Sequence, residues 1–161
     1  MTADLLAAAF ATEPGMTWLC GSRKAPWFAA TIRLPGVRTI TEPGAAALVT
    51  GPGTPGTLAQ LAWTGRVLLG CGPRAVRRTL TYLAATEALK PAGASTLEFI
   101  GVRPESRGHG VARRIIDGIA GPVFLTTADP TNVALYHRLG FAVTAELPVG
   151  PLTVTAMLRR G

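Results

Sequence analysis

The segment Val102 to Ala112, VRPESRGHGVA, gathers the residue types that hold a phosphate without a metal. It follows an apolar, β-rich run, TLEFIGV, and opens a helix-forming stretch with glycines at 108 and 110. Glycine lets the backbone approach a ligand, and consecutive N–H groups at a helix start, backed by the positive end of the helix dipole, form an anion-binding nest. The segment lacks the lysine and Ser/Thr of a Walker loop and the GxGxxG spacing of a dinucleotide fold, which disfavours nucleoside triphosphate and NAD. A pyrophosphate bound without metal fits better. Arg103, Arg107, Arg113 and Arg138 either add positive potential near such a group or lie on solvated faces, and His109 is expected to face solvent. The competing account is that RGHG is only a tight turn from strand to helix. Glu98 is the sole carboxylate on the entering strand, and it shares strand parity with Ile100 and Val102, which would aim it into the same cleft.

Hydrophobic periodicity supplies the elements that must position these residues. ADLLAAAFAT over 3–12 predicts a first helix stopped by Glu13, Pro14 and Gly15, and residues 16–32 predict a helical pair around a turn near Gly21 and Pro26. Residues 37–41 and 45–50 flank the turn EPG as a hairpin of short strands. A GPGTPG linker leads to helices over 57–69 and 73–89, the second with Arg74, Arg77, Arg78 and Thr81 on its wet side. Residues 96–102 then form a strand, Gly108–Ala120 a helix with Val111, Ile115, Ile116 and Ile119 inward, and 122–126 a second strand. A helix over 130–139 and an antiparallel pair over 141–147 and 153–158 close the chain. The fold class is therefore α/β or α+β, a mixed sheet covered by helices.

Composition limits the alternatives. At 161 residues, 48% of them hydrophobic, the chain is long enough to bury one core, and a single domain spanning 1–161 is expected. Sixteen basic against nine acidic residues give +7, which suits phosphates in general. The basic residues are scattered and no aromatic residues interleave them, so a dedicated nucleic-acid surface is not expected. Cys20 and Cys71 stand far apart with no CxxC and no paired histidines, which indicates neither a metal site nor a disulfide framework. The first ten residues contain Asp4 and lack a basic leader or a long apolar run, so a cytoplasmic protein without membrane contact is the expectation.

VRPESRGHGVA resembles the CoA motif of the GNAT superfamily of N-acetyltransferases, in which Arg or Gln is followed at the third and fifth positions by Gly and then Gly or Ala. Arg107, Gly110 and Ala112 match it. TNVALYHRLGF over 131–141 resembles the family's second CoA motif, in the right order and spacing. The C-terminal stretch from Phe124, with LLAAAFATEP and GAAALVTGPG, is similar to the puromycin N-acetyltransferase branch. The resemblance implies a mostly antiparallel sheet flanked by helices, an acceptor side in residues 1–93 and a CoA-binding half in 94–161. It implies acetyl-CoA as donor, no metal, and N–H groups of Arg107, Gly108, His109, Gly110, Val111 and Ala112 on the pyrophosphate, helped by Arg113. It places Val102 and Arg103 on the pantetheine arm. Asn132 would hydrogen-bond the pantetheine, unless it serves as a helix cap, and His137 would touch the 3′-phosphate or water.

Tyr136 sits where the family places a tyrosine that protonates the departing CoA thiolate; as plain structure it would be an amphipathic core residue. An ammonium cannot attack a thioester, so a base is also needed, and Glu98 is the candidate, with a rim or dimer contact as the competing role. The chain departs from the family where a strand should precede the first helix. A shortened sheet, a different N-terminal packing or a homodimer contact would then account for the exposed sheet edge. The expected function is acetyl transfer from acetyl-CoA to a primary amine of a small molecule or peptide, by direct attack in a ternary complex. Two alternatives are a non-catalytic acyl-CoA sensor and an acyltransferase using a longer acyl-CoA or aminoacyl-tRNA.

Overall fold

In the computed structural model, which describes residues 1–161, the chain opens with α1 (Thr2–Ala9), whose apolar side seats Leu6 in the core. Glu13 caps the next helix, α2 (Pro14–Cys20), by accepting the Met16 N–H at 2.6 Å, and Pro14 takes the first helical position, where its missing N–H costs nothing. α3 (Lys24–Ile32) tolerates Pro26 because that residue lies within the first turn. The hairpin β1 (Val37–Glu42) and β2 (Ala45–Thr50) turns through Pro43 and Gly44 as its β-branched pattern predicts.

Two helices, α4 (Thr57–Cys71) and α5 (Pro73–Thr86), then intervene before β3 (Ser95–Val102) returns to pair antiparallel with β2. They are an insertion between neighbouring strands, packed over α2 and α3. The remainder is α6 (Val111–Asp117), β4 (Val123–Thr127), α7 (Pro130–Arg138), β5 (Ala142–Val149) and β6 (Leu152–Arg159). The six strands lie in the order β1-β2-β3-β4-β6-β5, and only β3 and β4 run parallel. The sheet ends at β1, and no strand within 1–161 precedes α1.

Alternating residues divide the core between the two faces. Ala45, Ala47, Val49, Leu97, Val123 and Leu125 pack beneath α6 and α7, with Ile115, Ile116 and Tyr136. Ala46, Leu48 and Phe99 pack beneath the N-terminal helices. There Phe28 meets Phe99 edge to face at 4.9 Å, and Phe10 and Trp27 join the same cluster. Trp27 Nε1 donates to Thr79 Oγ1 at 3.1 Å, which ties α3 to the inserted α5. No helix is long and apolar enough to cross a membrane.

Three expectations need correction. The helix anticipated over Gly108–Ala120 is confined to Val111–Asp117, because Gly108 and Gly110 take left-handed φ values of 78° and 71° that an α-helix excludes. Arg78 is not on a wet face: it lies 5.1 Å above the Trp18 ring and donates to Trp18 O at 2.6 Å, pinning α5 to α2. The parity that linked Glu98 to Ile100 and Val102 is broken by a bulge, since Val49 pairs with Leu97 and Leu48 with Phe99, leaving Glu98 without a partner.

Candidate active site

β3 and β4 are paired only at Ser95–Val123 and Thr96–Phe124, and past that point they diverge. The divergence opens a cleft of about 580 Å³, a volume typical of small-molecule sites. One end of it is main chain. The N–H groups of Gly108, His109 and Gly110 find no backbone acceptor, and those of Val111, Ala112 and Arg113 are the open first turn of α6, which has no side-chain cap. Six consecutive donors therefore face outward, and the two left-handed glycines give the chain its sharp entry into the helix.

Long-range contacts hold that loop in place. Arg103 donates its N–H to Gly44 O at 2.8 Å, and Arg107 folds back so that Nε donates to Val102 O at 3.2 Å. Arg114 donates to His109 O at 2.8 Å through Nη1 and to Glu42 on β1 through Nε and Nη2 at 3.2 and 3.0 Å. Arg114 was not among the sequence candidates, because nothing local marks an arginine whose partner lies seventy-two residues away. The hairpin thus braces the loop.

Of the sequence candidates, Val102, Arg107, Gly108, Gly110, Val111, Ala112, Arg113, Asn132 and Tyr136 line one cleft. Arg103, His109, His137 and Glu98 do not, and both histidines are exposed. Arg113 lines the cleft while donating through Nη2 to Arg138 O at 2.9 Å, at the C-terminal end of α7. Asn132 is not the cap of α7: Asp129 is, accepting the Thr131 N–H at 2.9 Å, which leaves the Asn132 amide free on the cleft side. Glu98 points away, accepting from Thr50 Oγ1 at 2.7 Å. Burial raises its carboxyl above the ordinary 4.5, with the Thr50 hydrogen bond and Lys90 pulling the other way.

Tyr136 is 9% exposed and lies edge to face against Phe141 at 5.7 Å, so packing fixes its ring. Burial, and then the nearby Glu13 carboxylate, push its phenol well above the usual range, and no hydrogen bond to protein offsets the shift. Tyr82, by contrast, is pushed up to about 12 mainly by burial but shares a 2.7 Å hydrogen bond with Thr126. An enclosed phenol without a protein partner, on a cleft wall, is placed to donate to a ligand.

The α1–α2 connection supplies the opposite wall. A side chain at Gly101 would meet Ala9 Cβ at 2.8 Å, so glycine there lets α1 lie directly on β3. That approach carries Ala9, Phe10, Thr12 and Glu13 into the cleft, facing Asp129 and Tyr136. Sequence reasoning missed Glu13 and Asp129. The only local signal, an acidic residue before Pro at a helix start, reads as a cap. No group of three His, Cys, Asp or Glu side chains could hold a metal ion.

No protein-family model matches the sequence. Among solved structures, the chain is similar to a Corynebacterium glutamicum protein described as histone acetyltransferase HPA2 and related acetyltransferase. The TM-score is 0.67 at 18% identity, over 99% of this chain and 88% of that one. It is similar to the polyamine N-acetyltransferase of Drosophila melanogaster at a TM-score of 0.64 and 16% identity, over 99% and 93% of the two chains. An agmatine N-acetyltransferase superposes at 0.62 with 15% identity, over 98% and 92%. The chain has the GNAT acetyltransferase fold. Its six-stranded, mostly antiparallel sheet and flanking helices match the architecture that the two sequence motifs implied. Within that fold the diverging pair β3 and β4, the open N–H ladder after β3 and the tyrosine of α7 all face one cleft.

Proposed function

We propose that this protein is an N-acetyltransferase that takes the acetyl group of acetyl-CoA and passes it directly to an amine bound in the same cleft. The observation that carries the proposal is the joining, on one cleft, of the open N–H groups of Gly108 and of Gly110 through Arg113 with the unpartnered hydroxyl of Tyr136. The donor set fits CoA: N–H groups and Arg107 suit a pyrophosphate, and the unpaired edge of β3 around Ile100–Val102 suits an amide-bearing arm. When bound, acetyl-CoA supplies a thioester, an acyl carbon open to attack. The acetyltransferases of similar fold that act on polyamines and agmatine support an amine as acceptor.

Tyr136 has a narrower role than full proton donation. A thiol has a pKa near 8.5, so its thiolate is too weak a base to strip a phenol held above the usual range. The hydroxyl instead stays protonated and donates a hydrogen bond to the sulfur as negative charge grows there, which lowers the barrier only in the transition state. Tyr136→Phe is therefore expected to reduce kcat about 10- to 100-fold. The CoA dissociation constant, measured by calorimetry, should change little. Equal turnover in both proteins would remove Tyr136 from the reaction.

A further inference from the structure

We propose that Glu13 is the base that deprotonates the acceptor, and that Glu13 and Asp129 together select an acceptor bearing a second positive charge, an aliphatic diamine or a longer polyamine. The proposal rests on the acetyl-transfer reading and names the residues and substrate class that the cleft would use.

The two carboxylates come from separate elements, Glu13 from the start of α2 and Asp129 from the start of α7, and both line the cleft with Tyr136. Each caps a helix, but the caps are neutral N–H groups at Met16 and Thr131, so two negative charges remain. They lie close enough for the Asp129 charge to raise the Glu13 carboxyl, an effect added to the larger one of burial. Helix capping alone gives no reason to bring two carboxylates together in a half-buried site, where like charges repel strongly.

What is missing is a cation. Elsewhere Glu42 is paired with Arg114 and Asp117 with Arg159. Glu13 and Asp129 have no such partner, although the chain carries sixteen basic residues. Lys24 is the one basic side chain whose field reaches Glu13, and its influence ranks last; its Nζ, buried, is spent on Gly21 O at 2.6 Å. Tyr136 and Tyr82 also feel the Glu13 charge. The third member, Tyr136, is 9% exposed as a residue and lines the same cleft, and its hydroxyl has no hydrogen-bond partner in the protein. Two uncompensated carboxylates and an unpartnered donor around one cavity describe a site for a ligand that brings positive charge to one side and a nascent thiolate to the other.

In the reaction so assigned, the Glu13 carboxylate takes one proton from the acceptor ammonium. The freed nitrogen lone pair bonds to the acyl carbon, the carbon–sulfur bond breaks, and its electron pair leaves on sulfur. The surplus proton left on nitrogen goes to solvent as the amide forms, and the thiolate, held by the hydrogen bond from the Tyr136 hydroxyl, takes a proton from solvent to give the thiol. Glu13 returns its proton to solvent. The products are an N-acetyl amide, the CoA thiol and one proton. Asp129 keeps its charge throughout and holds the ammonium that does not react.

The test compares n-butylamine with 1,4-diaminobutane as acceptors for the full chain and for Glu13→Gln and Asp129→Asn, both of which preserve the helix caps. Wild type is expected to favour the diamine in kcat/KM by about 10-fold or more, the value of one partly screened charge pair. Glu13→Gln should lower kcat about 100-fold with both amines and abolish the acid limb of the pH–rate profile. CoA affinity should be unchanged, which also verifies the fold. Asp129→Asn should erase the diamine preference, bringing kcat/KM for 1,4-diaminobutane down to that for n-butylamine. Independently of turnover, calorimetry of 1,4-diaminobutane on the CoA-saturated protein should show binding that each variant weakens. Wild-type kcat and acid limb in Glu13→Gln, or an intact diamine preference in Asp129→Asn, would overturn the assignment. If wild type acetylates neither amine yet binds CoA, the acetyl-transfer reading fails first. The diamine titration then decides the carboxylate pair by itself: binding lost in both variants supports the pair, and binding absent or unchanged refutes it.

Discussion

At the end proposed to bind the donor the cleft presents backbone, the N–H groups of 108–113 in a loop braced by Arg114, Glu42 and Gly44, whereas at the end proposed to bind the acceptor it presents Glu13, Asp129 and Tyr136. The two ends also differ in sign: Arg107 and Arg113 flank the first, and two carboxylates line the second. A main-chain site depends on conformation and is indifferent to most side chains, as the exposed His109 between two left-handed glycines illustrates. A side-chain site depends on identity and on how three separate elements are held together. The donor end therefore suits a constant ligand, and the acceptor end is where selectivity can be written.

The largest effect should come from loosening what holds the acceptor end. Phe28 is fully buried and contacts the rings of Phe10, Trp27 and Phe99, and Phe10 itself lines the cleft beside Glu13. Phe28→Ala should cost ~3–5 kcal/mol in urea unfolding. In the protein that remains folded it should raise KM for the amine more than the dissociation constant for CoA. Equal effects on both would mean that the two ends are one rigid unit.

Next in size is an attack on the donor end. Gly110→Asp puts a carboxylate where the open N–H groups are proposed to hold phosphate, and forces a side chain into a φ of 71°. CoA affinity by calorimetry should fall on the order of 100-fold. Affinity for 1,4-diaminobutane should hold, and a comparable loss there would erase the distinction between the ends.

The smallest effect comes from a control carboxylate. Glu98 and Glu13 are both raised above 4.5, mainly by burial, but Glu98 lies outside the cleft against Thr50. For a carboxyl raised in the folded state, the folded chain holds a proton that the unfolded chain has lost once pH exceeds the unfolded value. Stability therefore declines as pH rises from about 4.5 through the raised folded value. Glu98→Gln, which keeps an acceptor for Thr50, should flatten that decline in thermal unfolding. The pH–rate profile should not move, and an altered acid limb would return Glu98 to the chemistry.

Local sequence order determined the donor end because everything it needs lies within one stretch: a strand, two glycines without a Cβ, and a helix start. The same holds for the strands and helices of 94–161, and for Tyr136, whose motif and helix are both local. Tertiary structure decided what depends on pairing between distant residues. The bulge at Glu98 arises from its register with β2 and reverses a side chain that strict alternation would aim at the cleft. The insertion of α4 and α5 between paired strands is invisible to periodicity, which marks helices but not what they interrupt. Glu13 and Asp129 stand 116 positions apart, each resembling an ordinary cap, and only the seating of α1 on Gly101 and the divergence of β3 from β4 bring them to one cavity. Backbone geometry is written over a few neighbouring residues, while the meeting of charges is a property of packing.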